Sequence, residues 1–330
     1  MPAIKITQLN SLALVQDFGR FNHQHQGISV NGAADEYAFA KANHMLGNRL
    51  FSDSNNKHND ECASIEVFYG QLTFMVDDTC IIAITGADCS PTKIAQDGTS
   101  SPLTMWKTHK LNAGDTVALS RPSVGVISYI SVKGGIQTKP FLGSRSQSVV
   151  PNEKLAELSP LSAGERLPLS SSCHQQIKNN TLDLTKYCPT NFYQDKPLVL
   201  RFIPHQHWYN APTHQQENFL HTTFSVNSKS NRMAYQFDLP TSNHNAGFKQ
   251  LKQALSSAVN FGTIQLMPSG LPVVLMKDRQ TMGGYPTLGS VFQIDLFRLA
   301  QLEPGQEISF SPADISQAQS QLNAFYQRFM

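Results

Sequence analysis

The sequence predicts a mainly β protein built as two barrel-like domains with a few peripheral helices. Three observations carry that expectation. The chain has 330 residues, which at roughly 150 residues per domain suggests about two domains. Most of its apolar pattern falls in short β-branched runs bounded by Gly, Pro, Asn and Asp, the signature of barrels or sandwiches. Helical periodicity is clear in only two places.

Taken in order, the strand-like runs are Ile65 to Val76, Cys80 to Thr85, Val124 to Val132, Leu198 to Ile203, Pro272 to Met276 and Val291 to Ile294. The first helix follows Asp35, an N-cap residue type: Ala38, Ala42, Met45 and Leu46 recur at helical spacing, and Gly47 can supply a left-handed stop. The second lies at the C-terminus, where Ile315, Ala318, Leu322, Phe325 and Phe329 step by three and four. A Ser311-Pro312 start places Asp314 at its third helical position and lays an apolar stripe against a barrel. Ser52 to Asp60 reads as an exposed loop. Ser170 to Lys196 is rich in Ser, Gln, Asn and Thr, so the domain boundary is placed there, giving residues 1–195 and 196–330. No internal repeat is evident.

Composition narrows the function. With 26 Lys and Arg against 24 Asp and Glu, the net charge is +2 and charged residues make up 15% of the chain. That argues against an electrostatic binder of nucleic acid or of a membrane surface. The N-terminus has no apolar core of a signal peptide, and no apolar run approaches the ~20 residues of a membrane-spanning helix. Five cysteines, an odd number, lack any C-x-x-C spacing, so neither a disulfide framework nor a zinc site is expected and a reducing cytoplasm fits. His23-Gln24-His25 and His205-Gln206-His207 would each put two imidazoles on one side of an extended chain. No third ligand has a recognisable spacing, and no metal is expected.

Three clusters are more specific. The first is Val15-Gln16-Asp17-Phe18-Gly19-Arg20, with Gln26-Gly27-Ile28-Ser29, Gly32-Ala33-Ala34-Asp35 and Ala42 to Asn48. The second is Ser230-Asn231-Arg232-Met233-Ala234-Tyr235. The third is Gly262-Thr263-Ile264-Gln265 and then Asp278-Arg279-Gln280-Thr281-Met282-Gly283-Gly284-Tyr285-Pro286. With Thr85-Gly86-Ala87-Asp88, Val132 to Ile136 and Leu142-Gly143-Ser144, these run in an order that resembles the KipA/PxpC family, also called allophanate hydrolase subunit 2-like or biotin-dependent carboxyltransferase-like proteins. The resemblance covers nearly the whole chain. Departures are Met282 where a second Thr is common, Ala234 where Gly is common, and His205-Gln206 after Pro204 where the family often has Gly-Pro, so that loop is expected to differ in shape.

The resemblance implies a cyclophilin-like C-terminal barrel, a KipI/PxpB-type partner carrying a related barrel, and a LamB/YcsF-type subunit. It also implies a chemistry. Family members serve as the PxpC-type subunit of ATP-dependent 5-oxoprolinase, opening the lactam of 5-oxoproline to glutamate. The homologous region of urea carboxylase instead moves a carboxyl group from carboxybiotin to urea. A third reading is a non-catalytic regulator of a KipI-like partner. No phosphate-binding G-x-x-x-x-G-K-[ST] loop occurs, so ATP is expected to enter through the complex. Met276-Lys277-Asp278 lacks the two flanking methionines of a biotin carrier, so no covalent biotin is expected on this chain.

Asp278 and Gln280 lie two residues apart after an apolar strand and would share a face if the extended geometry continued. An Asp there could orient a proton at an amide nitrogen, the Gln could bind the adjacent carbonyl, and Tyr285 adds a hydroxyl and a stacking surface. A turn held by Asp side-chain bonds explains the same residues. Arg232 could grip a carboxylate or phosphate or pair with Asp278 or Asp238. Asp17 and Arg20 fit a polar cleft or a cross-link between a strand and a loop; Asp35 fits a site or an N-cap; Glu66 fits a site or a solvent face. With the resemblance, the catalytic set is Asp278, Gln280 and Tyr285. The substrate-binding set is Asp17, Arg20, Asp35, Asn43, Glu66, Arg232, Gln265, Thr281, Gly283 and Gly284, sharing one cleft.

Overall fold

The computed structural model describes residues 1–50, 62–149, 158–175, 193, 197–239 and 255–329. They fall into two compact units, one of Met1–Arg20, Asn31–Cys188 and Phe329–Met330, the other of Phe21–Val30 with Pro189–Arg328. The expected boundary between 195 and 196, and the loop Ser52 to Asp60, lie outside the described residues. Sequence pattern did not foretell that Phe21–Val30, flanked by residues of the first unit, belongs to the second.

The first unit carries β1 (Ala3–Leu9), β2 (Ala13–Gln16), α1 (Glu36–Met45), β3 (Ser64–Phe68), β4 (Leu72–Val76), β5 (Cys80–Gly86), β6 (Thr92–Ile94), β7 (Ser100–Pro102), β8 (Lys107–Leu111), β9 (Thr116–Leu119), β10 (Ile127–Val132) and β11 (Arg166–Pro168). One sheet runs β11-β1-β4-β9-β6-β7 and a second β2-β3-β10-β5-β8. In β1 and β4 buried and more accessible residues alternate, so Ile4, Ile6, Leu72, Phe74 and Val76 turn inward. They meet Val15, Ile65, Val67, Ile82, Ile84, Ile130 and Val132 of the second sheet in one core. The run read as Ile65 to Val76 is thus two strands, separated by Tyr69-Gly70-Gln71, all three at positive φ. Gly70 is obligatory there, because a Cβ would sit 1.9 Å from the Ser120 carbonyl oxygen.

β3 and β10 are buried almost throughout, since α1 packs on β5 and β10 over the far face of the second sheet. Asp35 caps that helix as expected, its carboxylate accepting from the Tyr37 and Ala38 N–H groups.

The second unit holds β12 (Leu198–Pro204), α2 (Gln206–Tyr209), α3 (Thr213–Leu220), β13 (Phe224–Val226), β14 (Ala234–Asp238), β15 (Ser257–Ala258), β16 (Thr263–Leu266), β17 (Pro272–Leu275), β18 (Met282–Gly283), β19 (Thr287–Val291), α4 (Gln293–Leu299), β20 (Glu307–Pro312) and α5 (Ile315–Gln327). Seven strands close a barrel in the order β12-β19-β16-β17-β14-β13-β20. Its interior is aromatic: Phe310 touches Phe202, Phe224 and Phe237, and α3 adds Phe219 against the same rings.

Two expectations are corrected here. Val291 to Ile294 is not a strand: β19 ends at Val291 and α4 begins at Gln293, because Leu296, Phe297 and Leu299 bury at helical spacing. Pro312 closes β20 and does not start a helix; Asp314 is the N-cap of α5, accepting from the Ser316 N–H. Of the apolar stripe on α5 only Phe325 is buried, against Phe297 of α4.

Candidate active site

The charged residues of the first cluster are buried and engaged. Asp17 accepts four hydrogen bonds: from the Gly19 N–H and the Ser144 hydroxyl at 2.7 Å, the Ser146 hydroxyl at 2.6 Å and the Arg145 N–H at 2.7 Å. Arg20, 1% exposed, donates to the carbonyls of Phe141 and Ser146 and to the Asn31 amide oxygen, and its guanidinium lies over the Phe141 ring. Both residues tie the strand end to the 141–147 loop, which is the cross-linking alternative.

Under α1 lies a polar layer on the far face of the second sheet. Glu66 accepts from the Tyr129 hydroxyl at 2.5 Å and the Ala34 N–H at 2.9 Å, and the same hydroxyl accepts from the Asp35 N–H. Burial first, then the Glu66 and Asp35 charges, push the Tyr129 phenol well above its usual range. Asn43 donates to the Phe39 carbonyl and the Ser64 hydroxyl and accepts from Asn48. Glu66 therefore faces a helix, not solvent. Asp17, Arg20, Asp35, Asn43 and Glu66 all belong to the first unit.

The remaining candidates belong to the second unit. Arg232 and Asp278 form a two-point ion pair, Nη2 to Oδ1 at 2.7 Å and Nε to Oδ2 at 3.1 Å, with side chains 1% and 0% exposed. The chain does not stay extended after β17: it turns at Lys277 and Asp278, leaving Asp278 buried and Gln280 exposed. The two do not share a face, and Asp278 takes the ion-pair alternative. That pair holds the base of a loop whose middle is open, with Tyr285 39% and Met282 52% exposed.

Other anchors fix the loop. The Ser29 hydroxyl donates to the Arg279 carbonyl at 2.7 Å, which gives Gln26-Gly27-Ile28-Ser29 its purpose. Lys277 lies over the Phe261 ring. Arg279 is 7% exposed and burial brings its guanidinium down to about 10. β15 pairs with β18, setting Ser257 opposite Gly283, and the Val259 N–H donates to the Thr281 carbonyl. This ribbon covers the outer face of the barrel, where Val259 packs on Val273 and Leu275.

Gln265, 2% exposed, stands on that outer face opposite Val273 and Thr287. A Cβ at Gly283 would lie 2.3 Å from its Nε2, so the loop backbone packs directly on the Gln265 amide. Next to it, His205 reaches the Ser290 hydroxyl with Nε2 at 3.1 Å and the Thr287 hydroxyl with Nδ1 at 3.4 Å. Burial, reinforced by His207, lowers the His205 pKa and favours the neutral ring. Ser29, His205, Thr287 and Ser290 were absent from the expected site; the departure from Gly-Pro at His205 was the available signal. The two His-Gln-His pairs are not extended: one forms a short helical turn at Gln24–Gln26, the other enters α2. Among the described residues no group of three or more His, Cys, Asp or Glu is placed to hold a metal ion, and no helix is long and apolar enough to cross a membrane.

Comparison with known proteins decides the family. Residues 26–312 match the description "carboxyltransferase domain, subdomain A and B". The chain belongs to this carboxyltransferase-domain family. Within it, the chain is 29% identical over 319 residues to the C-subunit of 5-oxoprolinase from Escherichia coli (strain K12), covering 96% of this chain and 93% of that one. The Haemophilus influenzae C-subunit is 29% identical over 317 residues, with the same coverages of 96% and 93%. The carboxyltransferase fold is also that of Kluyveromyces lactis urea amidolyase, at a TM-score of 0.78 and 20% identity. There the match covers 99% of this chain but spans only 20% of that longer one. The family read from the motifs and the mainly β architecture are thereby borne out.

Proposed function

We propose that this carboxyltransferase-family chain is the PxpC-type subunit of an ATP-dependent 5-oxoprolinase, acting with a KipI/PxpB-type partner and a LamB/YcsF-type subunit. The observation that carries the reading is its likeness to two bacterial 5-oxoprolinase C-subunits over 93% of their length. In this reading the loop Gln280–Tyr285 receives the lactam, and the Arg232–Asp278 pair positions that loop without touching substrate. ATP, entering through the complex, would supply the activation of the lactam carbonyl and leave as ADP and phosphate. Water would add to the carbonyl carbon, the C–N bond would break, and the nitrogen would take a proton to become the amine of glutamate, so that 5-oxoproline, ATP and two waters give glutamate, ADP and phosphate. The chain alone lacks a phosphate loop and a nucleophile–base–orienter set on the open loop, so it is inactive by itself. Mixing the purified chain with both partners, ATP and 5-oxoproline should yield glutamate. A well-folded complex that forms none overturns the assignment.

The family description favours one other reading, a carboxyltransferase component that takes carboxyl from a separate biotin carrier to urea or a related amide. Carboxyl transfer from carboxybiotin to urea by this chain, with no glutamate formed in the complete mixture, would establish it instead.

A further inference from the structure

Gln265 carries a buried carboxamide whose Nε2 has no hydrogen-bond partner among the described residues. A buried amide donor left unpaired costs stability; Gln265 shares that state with the Thr138 hydroxyl and the Gln215 amide oxygen, and its neighbours set it apart. Its cross-strand neighbour on β19, Thr287, is polar as well. A register shift between Ile264 and Gln265 bulges β19 beside it. The Thr287 and Ser290 hydroxyls consequently both reach the one imidazole of His205. Ser290 is paired with Thr263, two residues from Gln265 and on the same face. In either neutral tautomer of His205, the Thr287 hydroxyl keeps a lone pair free to accept: both lone pairs if it donates to the ring, one lone pair and its own proton if it accepts.

We propose that Gln265 is the recognition donor for the carbonyl oxygen of a small neutral amide, a lactam or urea, seated on the outer barrel face between Gln265 and Thr287, with Thr287 meeting the adjacent amide N–H. The ligand class follows from chemistry: Nε2 requires an acceptor, and a cis-amide edge presents C=O and N–H side by side to two neighbouring groups. His205 is a positioning residue that fixes the Thr287 hydroxyl. The choice of 5-oxoproline as first probe rests on the proposed function; the site itself does not.

The test pairs stability with binding on the full-length chain, alone and with its partner. Gln265→Met fills the same volume without the orphan donor. Its melting temperature should stay level or rise by about 2–4 °C, while 5-oxoproline binding by calorimetry weakens roughly tenfold or more. Thr287→Val, of similar shape, should also weaken binding and leave melting within ~2 °C. Loss of stability in Gln265→Met with binding intact would overturn the proposal, as would a wild-type chain that binds neither 5-oxoproline nor urea. Binding of urea but not 5-oxoproline, abolished by Gln265→Met, would uphold this site while refuting the oxoprolinase reading.

Discussion

The two units differ in what their buried polar groups sit beside, although among the described residues each leaves a buried side-chain polar atom without a partner, the Thr138 hydroxyl in the first and the Gln265 amide in the second. In the first, the Asp17 carboxylate accepts four hydrogen bonds, and Tyr129 links Glu66 to the Asp35 backbone under α1. In the second, one ion pair is as fully engaged, yet Gln265 leaves an amide donor unpaired beside an open loop. Satisfied networks fix a fold; an unsatisfied donor is tolerated where a ligand completes it. The proposed function accordingly places the chemistry on the neutral face and loop of the barrel.

The sharpest way to break this contrast is at the Arg232–Asp278 pair. Asp278→Ala takes the carboxylate away from a guanidinium that is only 1% exposed, and breaking a buried pair costs about 3–5 kcal/mol. Urea denaturation should show that loss in the second unit, and the double variant Arg232→Met with Asp278→Leu should recover most of it. If Asp278→Ala instead unfolded like wild type while activity vanished, Asp278 would be catalytic and the positioning role wrong.

Next in size is Tyr129→Phe. It removes the hydroxyl shared by Glu66 and the Asp35 N–H, leaving buried groups short of a partner at a cost of about 1–3 kcal/mol. The phenol also predicts a pH effect. Its folded pKa is raised well above the ordinary phenol value of 10.0, so its contribution is complete below that pH and is lost as pH climbs towards the folded value. Stability measured from about pH 8 upward should fall beyond about pH 10 in the wild type and fall less steeply in Tyr129→Phe.

A smaller effect is expected at the helix cap. Asp35→Ala removes the acceptor for the Tyr37 and Ala38 N–H groups and should cost about 1 kcal/mol, with Asp35→Asn losing less. Equal losses for both would mean that the charge, and not the cap, is what the buried layer needs.

What the sequence made legible was what local rules govern. The Asp35 cap and the stop at Gly47 are one-dimensional signals, and they match the observed elements. Val291 to Ile294 misled because four residues, Val-Phe-Gln-Ile, are too few to show a period, and the helical spacing emerges only when Leu296, Phe297 and Leu299 are counted. Site residues were legible as motifs but not as roles. Asp17, Arg20, Glu66 and Asp278 carry the charges expected of a site, and it is long-range partners, Ser144, Phe141, Tyr129 and Arg232, that engage them. No spacing rule connects residues 121 or 127 positions apart, as for Arg20 with Phe141 and Asp17 with Ser144. His205, Thr287 and Ser290 were missed for the same reason, since only a bulge in β19 gathers the two hydroxyls on one ring.

The smallest effect on stability, and the most informative for function, belongs to the open loop. Gln280 is exposed and Tyr285 is 39% exposed, so Gln280→Ala and Tyr285→Phe should each leave stability within about 0.5 kcal/mol, the range of surface substitutions. If the loop receives the lactam, glutamate formation by the reconstituted complex should nevertheless fall roughly tenfold in each, about 1.4 kcal/mol and the size of one lost hydrogen bond. A hydrogen bond made equally in the bound and reacting states would appear in KM alone, whereas one that tightens as the carbonyl is attacked would appear in kcat. Full activity in both variants would take the loop out of the site and leave the covered face around Gln265 as the place where substrate is read.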